Sequence, residues 1–143
     1  MKVLLDASVV LRRLFGEPDA LEQWSQIDEA YASRLMPVEL GRVIDRARLA
    51  GDINDVQVEH LVQEAQRVTR SVEILDLSEA ILARATGPMP TAIGTLDAAH
   101  LATALELAPT IDGTLIVATH DAQLARAARA SGLEVIGVRP VAS

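Results

Sequence analysis

The 143-residue chain has no cysteine, one lysine and three aromatic side chains, and each scarcity excludes something. Without cysteine there are no disulfides and no thiolate metal sites, so any metal has to be held by oxygen or imidazole. Lys2 is the only lysine. A phosphoryl-accepting receiver domain needs a lysine near its last strand, which Lys2 cannot supply. The same absence counts against a haloacid-dehalogenase-like phosphatase, which also wants an Asp where this chain has Ser8. Phe15, Trp24 and Tyr31 are too few for the base-stacking platform of a single-strand binder. The glycines form neither G-x-G-x-x-G nor G-x-x-x-x-G-K-[ST], so phosphate-cradling loops of those kinds have no support.

Long apolar runs are also missing. Half of the residues are apolar, yet no stretch approaches the roughly 20 residues that span a bilayer. The opening "MKVLLDASVV" is interrupted by Asp6 and leads to no convincing cleavage site, so no leader is expected. The expectation is a cytoplasmic protein with no membrane association. Positive charge is scarce: 13 Lys and Arg against 20 Asp and Glu give a formal net charge of −7. That balance argues against holding nucleic acid mainly by neutralising phosphates. It leaves a nuclease open, because an acidic pocket loaded with divalent cations reverses its local charge.

What is present is a regular alternation of strand and helix signals. "KVLL" reads as a strand, "ASVVLRRLF" as a helix stopped by Gly16, and "PDALEQWSQI" as a second helix with Pro18 near its start. An "AYAS" strand precedes "PVELGRVIDRARLA", a helix with Leu40, Val43, Ile44 and Ala47 on one face and Gly51 beyond its end. "VQVEHLVQEAQRV" is helical, "SVEIL" a strand, "SEAILARAT" helical and "GPMPTAIG" a breaker-rich loop. "TLDAAHLATALEL" is helical, followed by a "TLIVAT" strand, a "DAQLARAARA" helix capped by Gly132, and an "LEVIGV" strand. No linker, repeat or low-complexity segment divides residues 1–143, so one α/β domain is expected, with a mostly parallel sheet and helices on both faces.

In an open α/β sheet, ligands bind beyond the carboxyl ends of the strands. Asp6 follows "VLL" and Asp121 follows "TLIVATH", both at strand-to-helix corners where a carboxylate commonly caps the helix. On these two residues alone, capping is the simpler reading. Asp97 shares its helical stripe with Leu101, Ala104, Leu105 and Ala108, and Glu39 flanks an apolar stripe one turn before Val43. Inward carboxylates are costly unless they are paired or coordinate a metal. Asp97 could cap its own helix, and Glu39 could pair with Arg42 or Arg46. All four acids together call for a common cause. Crowded at one end of the sheet, they would raise one another's pKa values unless cations lay between them. Oxygen ligands select Mg²⁺ or Mn²⁺, and such a site favours in-line hydrolysis of a phosphodiester by cation-activated water.

At these residues the chain resembles the PIN-domain family, in particular the VapC-type toxins of bacterial toxin–antitoxin pairs. "LLDAS" looks like the family's first motif, "SRLMPVELGRV" the second, "TLDAAHLATA" the third and "VATHDAQLARAARASGLEVI" the fourth, in order along nearly the whole chain. The resemblance implies a three-layer α/β/α sandwich and a Mg²⁺ or Mn²⁺ site made by Asp6, Glu39, Asp97 and Asp121. It implies supporting hydroxyls at Thr119 and Ser8. The implied activity is endoribonuclease, with RNA as substrate, a cognate antitoxin protein as partner and a homodimer as assembly. Where many relatives carry a further acid or polar ligand after the fourth motif, and then an aromatic, this chain has Ala122, Gln123 and Leu124. A PIN-like binding or scaffold module without catalysis is the alternative, and the presence of all four acids weighs against it.

Among the remaining polar residues, His100 follows Asp97 by one helical turn and is expected behind the acids or in solvent. His120 is at most an occasional substrate contact, and His60 is a surface residue. Arg12 and Arg13 could meet RNA phosphate, though a solvated face is the default. Leu14, Phe15, Leu21 and Trp24 are candidates for one wall of an antitoxin groove, with core packing as their other reading.

Overall fold

Val3, Leu4 and Leu5 are all buried, which a strand achieves only when helices cover both faces of its sheet. In the computed structural model, which describes residues 1–141, they belong to β1 (Lys2–Leu5). The other strands are β2 (Glu29–Ser33), β3 (Glu73–Leu75), β4 (Leu115–Ala118) and β5 (Glu134–Ile136). The helices are α1 (Ala7–Leu14), α2 (Leu35–Leu49), α3 (Asp55–Ser71), α4 (Glu79–Thr86), α5 (Thr95–Leu107) and α6 (Ala122–Ala130). The spatial strand order is β3-β2-β1-β4-β5, and every pairing is parallel.

Side-chain alternation along β1 divides the core in two. Val3 and Leu5 pack with Val9 and Val10 of α1, Met36 and Leu40 of α2, and the inner side of α3. Leu4 points the other way, into a cluster with Leu101 and Ala104 of α5 and Leu124, Ala127 and Ala128 of α6. The result is the α/β/α sandwich, with the parallel sheet as its middle layer.

Local chemistry sets the helix starts. Asn54 and Gln57 form a reciprocal capping box at α3, both bonds 2.9 Å. Ser78 caps α4, and Asp121 caps α6 by accepting from the amides of Gln123 and Leu124.

Two expectations are corrected. "PDALEQWSQI" is not a helix: Asp19 adopts φ 60 after Pro18, and only a single 3-10 turn, Trp24–Gln26, forms. Leu21 is buried and Trp24 packs partly buried against the first core cluster, while Arg13 lies over the Trp24 ring at 4.7 Å. Leu14 also packs, partly buried, against the same cluster. Second, α5 has no simple apolar stripe. Residues 98–104 are buried on all sides because the helix packs between β2, α4 and α6. Among the described residues, no helix is long and apolar enough to cross a membrane. The expected domain end at residue 143 lies outside the described residues.

Candidate metal centre

From β1 the chain builds outward to β2 and β3 on one side, then returns to add β4 and β5 on the other. The switch point of this sheet therefore lies between β1 and β4, where a crevice opens at the carboxyl ends of the strands. Asp6 leaves β1 at that point and is 4% exposed. Its amide donates to the carbonyl of Ala118 at 2.9 Å, extending the β1–β4 ladder by one step and locking the Asp6 backbone at the switch point.

Although Asp6 stands at the N-cap position of α1, its side chain makes no capping bond. Oδ2 instead accepts from the hydroxyls of Ser8 at 2.5 Å and Thr119 at 2.8 Å. Both hydroxyls are themselves oriented by main-chain amides. His120 N–H donates to Ser8 Oγ, and Asp121 N–H donates to Thr119 Oγ1, each at 2.9 Å. The turn after β4 thus fixes the rotamer of an acid at the end of β1. Gly137 makes that turn possible. Its φ is 99, and a Cβ there would lie 2.1 Å from the Thr119 carbonyl oxygen.

Glu39 arrives from α2 and is hydrogen-bonded through Oε1 to Nε2 of His100, rather than paired with Arg42 or Arg46. His100 Nε2 lies 3.8 Å from Asp6 Oδ1. Ligand atoms of Asp6, Glu39 and His100 all fall within 4.8 Å of one another. His100 is completely buried, with Nδ1 at 2.8 Å from Ser33 Oγ at the end of β2. Its position one turn after Asp97 was the signal in the sequence, but only the all-round burial of α5 turns it inward. Ser33, an unremarkable small residue closing a strand, carried no such signal.

Asp97 lies in the first turn of α5, whose N-cap is Gly94, and its carboxylate makes no hydrogen bond among the described residues. Burial, then the charges of Asp121, Asp6 and Glu39, push its carboxyl up to about 6, against an opposing pull from His100. Asp121 commits one oxygen to the α6 cap. For His100, burial disfavours the charged ring, but the Glu39 hydrogen bond and the Asp6, Glu39 and Asp97 charges outweigh it and the pKa rises.

The remaining polar candidates lie elsewhere. His120 Nδ1 donates to the Gly137 carbonyl at 3.0 Å, and His60 is exposed. Arg12 faces Glu17 at 3.9 Å. A cavity of about 740 Å³ is lined by Gly87, residues 89–94 and Thr95, Ala98 and Ala99 of α5, and none of the four acids lines it.

A family model of the PIN domain matches residues 3–130. The chain belongs to the PIN-domain family. No curated protein sequence matches it. Among solved structures, this PIN domain is similar to FitAcB from Neisseria gonorrhoeae, at 19% identity and TM-score 0.71 over 94% of this chain and 96% of that one. It is similar to a toxin–antitoxin complex from Klebsiella pneumoniae, at 17% identity and TM-score 0.63 over 94% and 95% of the two chains. VapBC-1 from nontypeable Haemophilus influenzae gives 22% identity and TM-score 0.60 over 94% and 96%. At these identities the likeness concerns the fold.

Proposed function

We propose that this PIN domain is a divalent-metal-dependent endoribonuclease and the toxin of a toxin–antitoxin pair, acting in the cytoplasm as one domain over residues 1–143. The observation that carries the reading is the meeting of Asp6 and Glu39 beneath the β1–β4 switch point, beside an Asp97 carboxyl that burial and the neighbouring acids push up to about 6. PIN domains are typically nucleases that use divalent metals, and this donor set fits a hard cation. Asp6, Glu39, Asp97 and Asp121 would hold Mg²⁺ or Mn²⁺, relieving the repulsion that the metal-free cluster carries. When bound, the ion supplies charge neutralisation at the phosphodiester and activation of the attacking water.

The chain's own residues do the rest. Ser8 and Thr119 keep Asp6 in one rotamer, with Oδ1 free toward Glu39. Asp121 anchors the start of α6 through Oδ1, which leaves Oδ2 outside the cap. Water as the attacking group predicts products with a 5′-phosphate and a 3′-hydroxyl. RNA incubated with the wild type and Mg²⁺ or Mn²⁺ should give those ends, and Asp6→Asn or Asp97→Asn should give no cleavage from a folded protein. A 2′,3′-cyclic phosphate would eliminate the mechanism. Cleavage by both variants after chelation and repurification would point to a contaminant or a non-catalytic scaffold.

The toxin reading is supported by neighbours that are toxin–antitoxin complexes, and by the chemistry of the site. An arginine from a basic, disordered segment can pair bidentately with clustered carboxylates and exclude the cation. The test is co-expression with the product of the adjacent gene. A stable complex with its nuclease silenced supports the reading; a fully active complex, or none, leaves a nuclease that is not a toxin.

A further inference from the structure

His100 sits among the acids as if it were one more ligand, but its hydrogen bonds assign it another task. Nε2 faces Glu39 Oε1 and Nδ1 faces Ser33 Oγ at 2.8 Å. A bare ring nitrogen cannot face a carboxylate oxygen, because two lone pairs would repel. Imidazole is the stronger base of the two, so the proton between them belongs on Nε2. The far side of the ring agrees. Ser33 Oγ accepts the Leu35 amide at 3.2 Å, which leaves its own hydroxyl proton to donate to Nδ1. The neutral ring is then the Nε2–H tautomer. In the charged ring Nδ1–H donates to Oγ instead, and Nε2–H toward Glu39 is unchanged. Neither form offers a metal the Nε2 lone pair.

We propose that His100, oriented by Ser33, is a positioning residue that holds the Glu39 carboxylate beside Asp6 and does not itself ligate the ion. The proposal rests on the metal reading given above. Glu39 flanks the buried stripe of α2, Met36, Leu40 and Ile44, and is next to Val38, which is 56% exposed, so helix packing leaves its carboxylate at the edge of the core. A donor from the buried helix α5 draws the carboxylate in and leaves Oε2 for the cation. The ligand set is then oxygen only, which favours Mg²⁺ over softer ions. Hydrogen-bonded partners of metal ligands characteristically change affinity by about 10–100-fold when removed.

The experiment reads the ring directly. The chain has three histidines, so ¹⁵N-labelled protein, with His60→Gln and His120→Gln for assignment, resolves the His100 ring nitrogens by long-range ¹H–¹⁵N correlation. Nε2 is expected to carry a proton without metal and at saturating Mg²⁺. In parallel, Mg²⁺ affinity is measured by calorimetry. His100→Leu should weaken it by about 10–100-fold, and His100→Gln, which keeps an N–H donor, should restore most of the loss. If His100→Leu does not fold, the ring spectrum of the wild type still decides. An Nε2 that loses its proton when Mg²⁺ binds overturns the positioning role and makes His100 a ligand, with the metal reading intact. A wild type that binds no Mg²⁺ overturns the metal reading and the positioning role with it.

Discussion

Thr119 Oγ1 donates to Asp6 Oδ2 at 2.8 Å across 113 residues of sequence, and the same oxygen accepts the Asp121 amide at 2.9 Å. One buried hydroxyl therefore couples the first acid of the chain to the backbone of the last. The two halves of the site are thereby tied to each other through this one side chain.

Replacing Thr119 by Val keeps the shape and removes both bonds. The Asp121 amide loses its acceptor, and Asp6 keeps only Ser8. Unsatisfied groups of this kind cost about 1–3 kcal/mol each, so urea denaturation should show a loss in that range. Thr119→Ser should recover most of it. A Val variant as stable as the wild type would mean that the hydroxyl is incidental.

Gly137 and Gly132 make a matched pair for measuring the closeness of the turn against β4. Both have positive φ, 99 and 86, but a Cβ at Gly132 meets nothing within 4 Å. Gly132→Ala should therefore cost only the backbone penalty, about 1–2 kcal/mol. Gly137→Ala should add roughly 1–3 kcal/mol of overpacking, because the obstacle is the Thr119 carbonyl rather than a movable side chain. It should also weaken the response to Mg²⁺, since Thr119 must shift. Equal costs at the two positions would contradict the packing described here.

Metal-free stability should fall as pH rises. Asp97 is pushed up to about 6 from an ordinary 3.8, first by burial and then by the Asp121, Asp6 and Glu39 charges. The folded state holds this proton more tightly than the unfolded state, so its contribution is complete below pH 3.8 and is lost by about pH 6. His100, raised above its ordinary 6.5, extends the decline to higher pH. In chelator, the melting temperature of the wild type should drop between pH 4 and pH 8 relative to that of Asp97→Asn, which lacks the first of these titrations. Mg²⁺ should reverse the drop most at high pH, where no protons have to be displaced. Parallel profiles for the two proteins would show that Asp97 is not crowded.

The parallel sheet with helices on both faces was readable because fully buried strands announce themselves as unbroken apolar runs, and "VLL" and "LIVA" are of that kind. The all-round burial of α5 was less legible. A run of alanines such as Ala98, Ala99, Ala102 and Ala104 suits any face, and only its neighbours show that none of those faces is wet. "PDALEQWSQI" misled for a related reason: it carries helical spacing, but Pro18 and the left-handed Asp19 spend the segment on a turn that tucks Leu21 into the core. Asp6 and Asp121 looked alike in sequence, each an acid between a strand and a helix. The structure separates them, because only Asp121 caps its helix.

That separation yields a last prediction. Asp121 has two tasks that one substitution confuses and two can divide. Its Oδ1 accepts from Gln123 N at 2.8 Å and Leu124 N at 3.0 Å, which any side-chain carbonyl at this position can do. Its charge raises the Asp97 carboxyl, which only a carboxylate can do. Asp121→Asn keeps the cap and removes the charge, whereas Asp121→Ala removes both. The Ala variant should be less stable than the Asn variant by about 1 kcal/mol, the ordinary worth of an N-cap. The Asp97 titration, followed by NMR of the side-chain carboxyl, should shift down equally in both, since each removes the same charge. On the metal reading, cleavage should be lost in both despite their different stabilities. Activity that tracked stability, surviving in Asn and falling only in Ala, would reduce Asp121 to a helix cap and leave Asp6, Glu39 and Asp97 as the acids of the site.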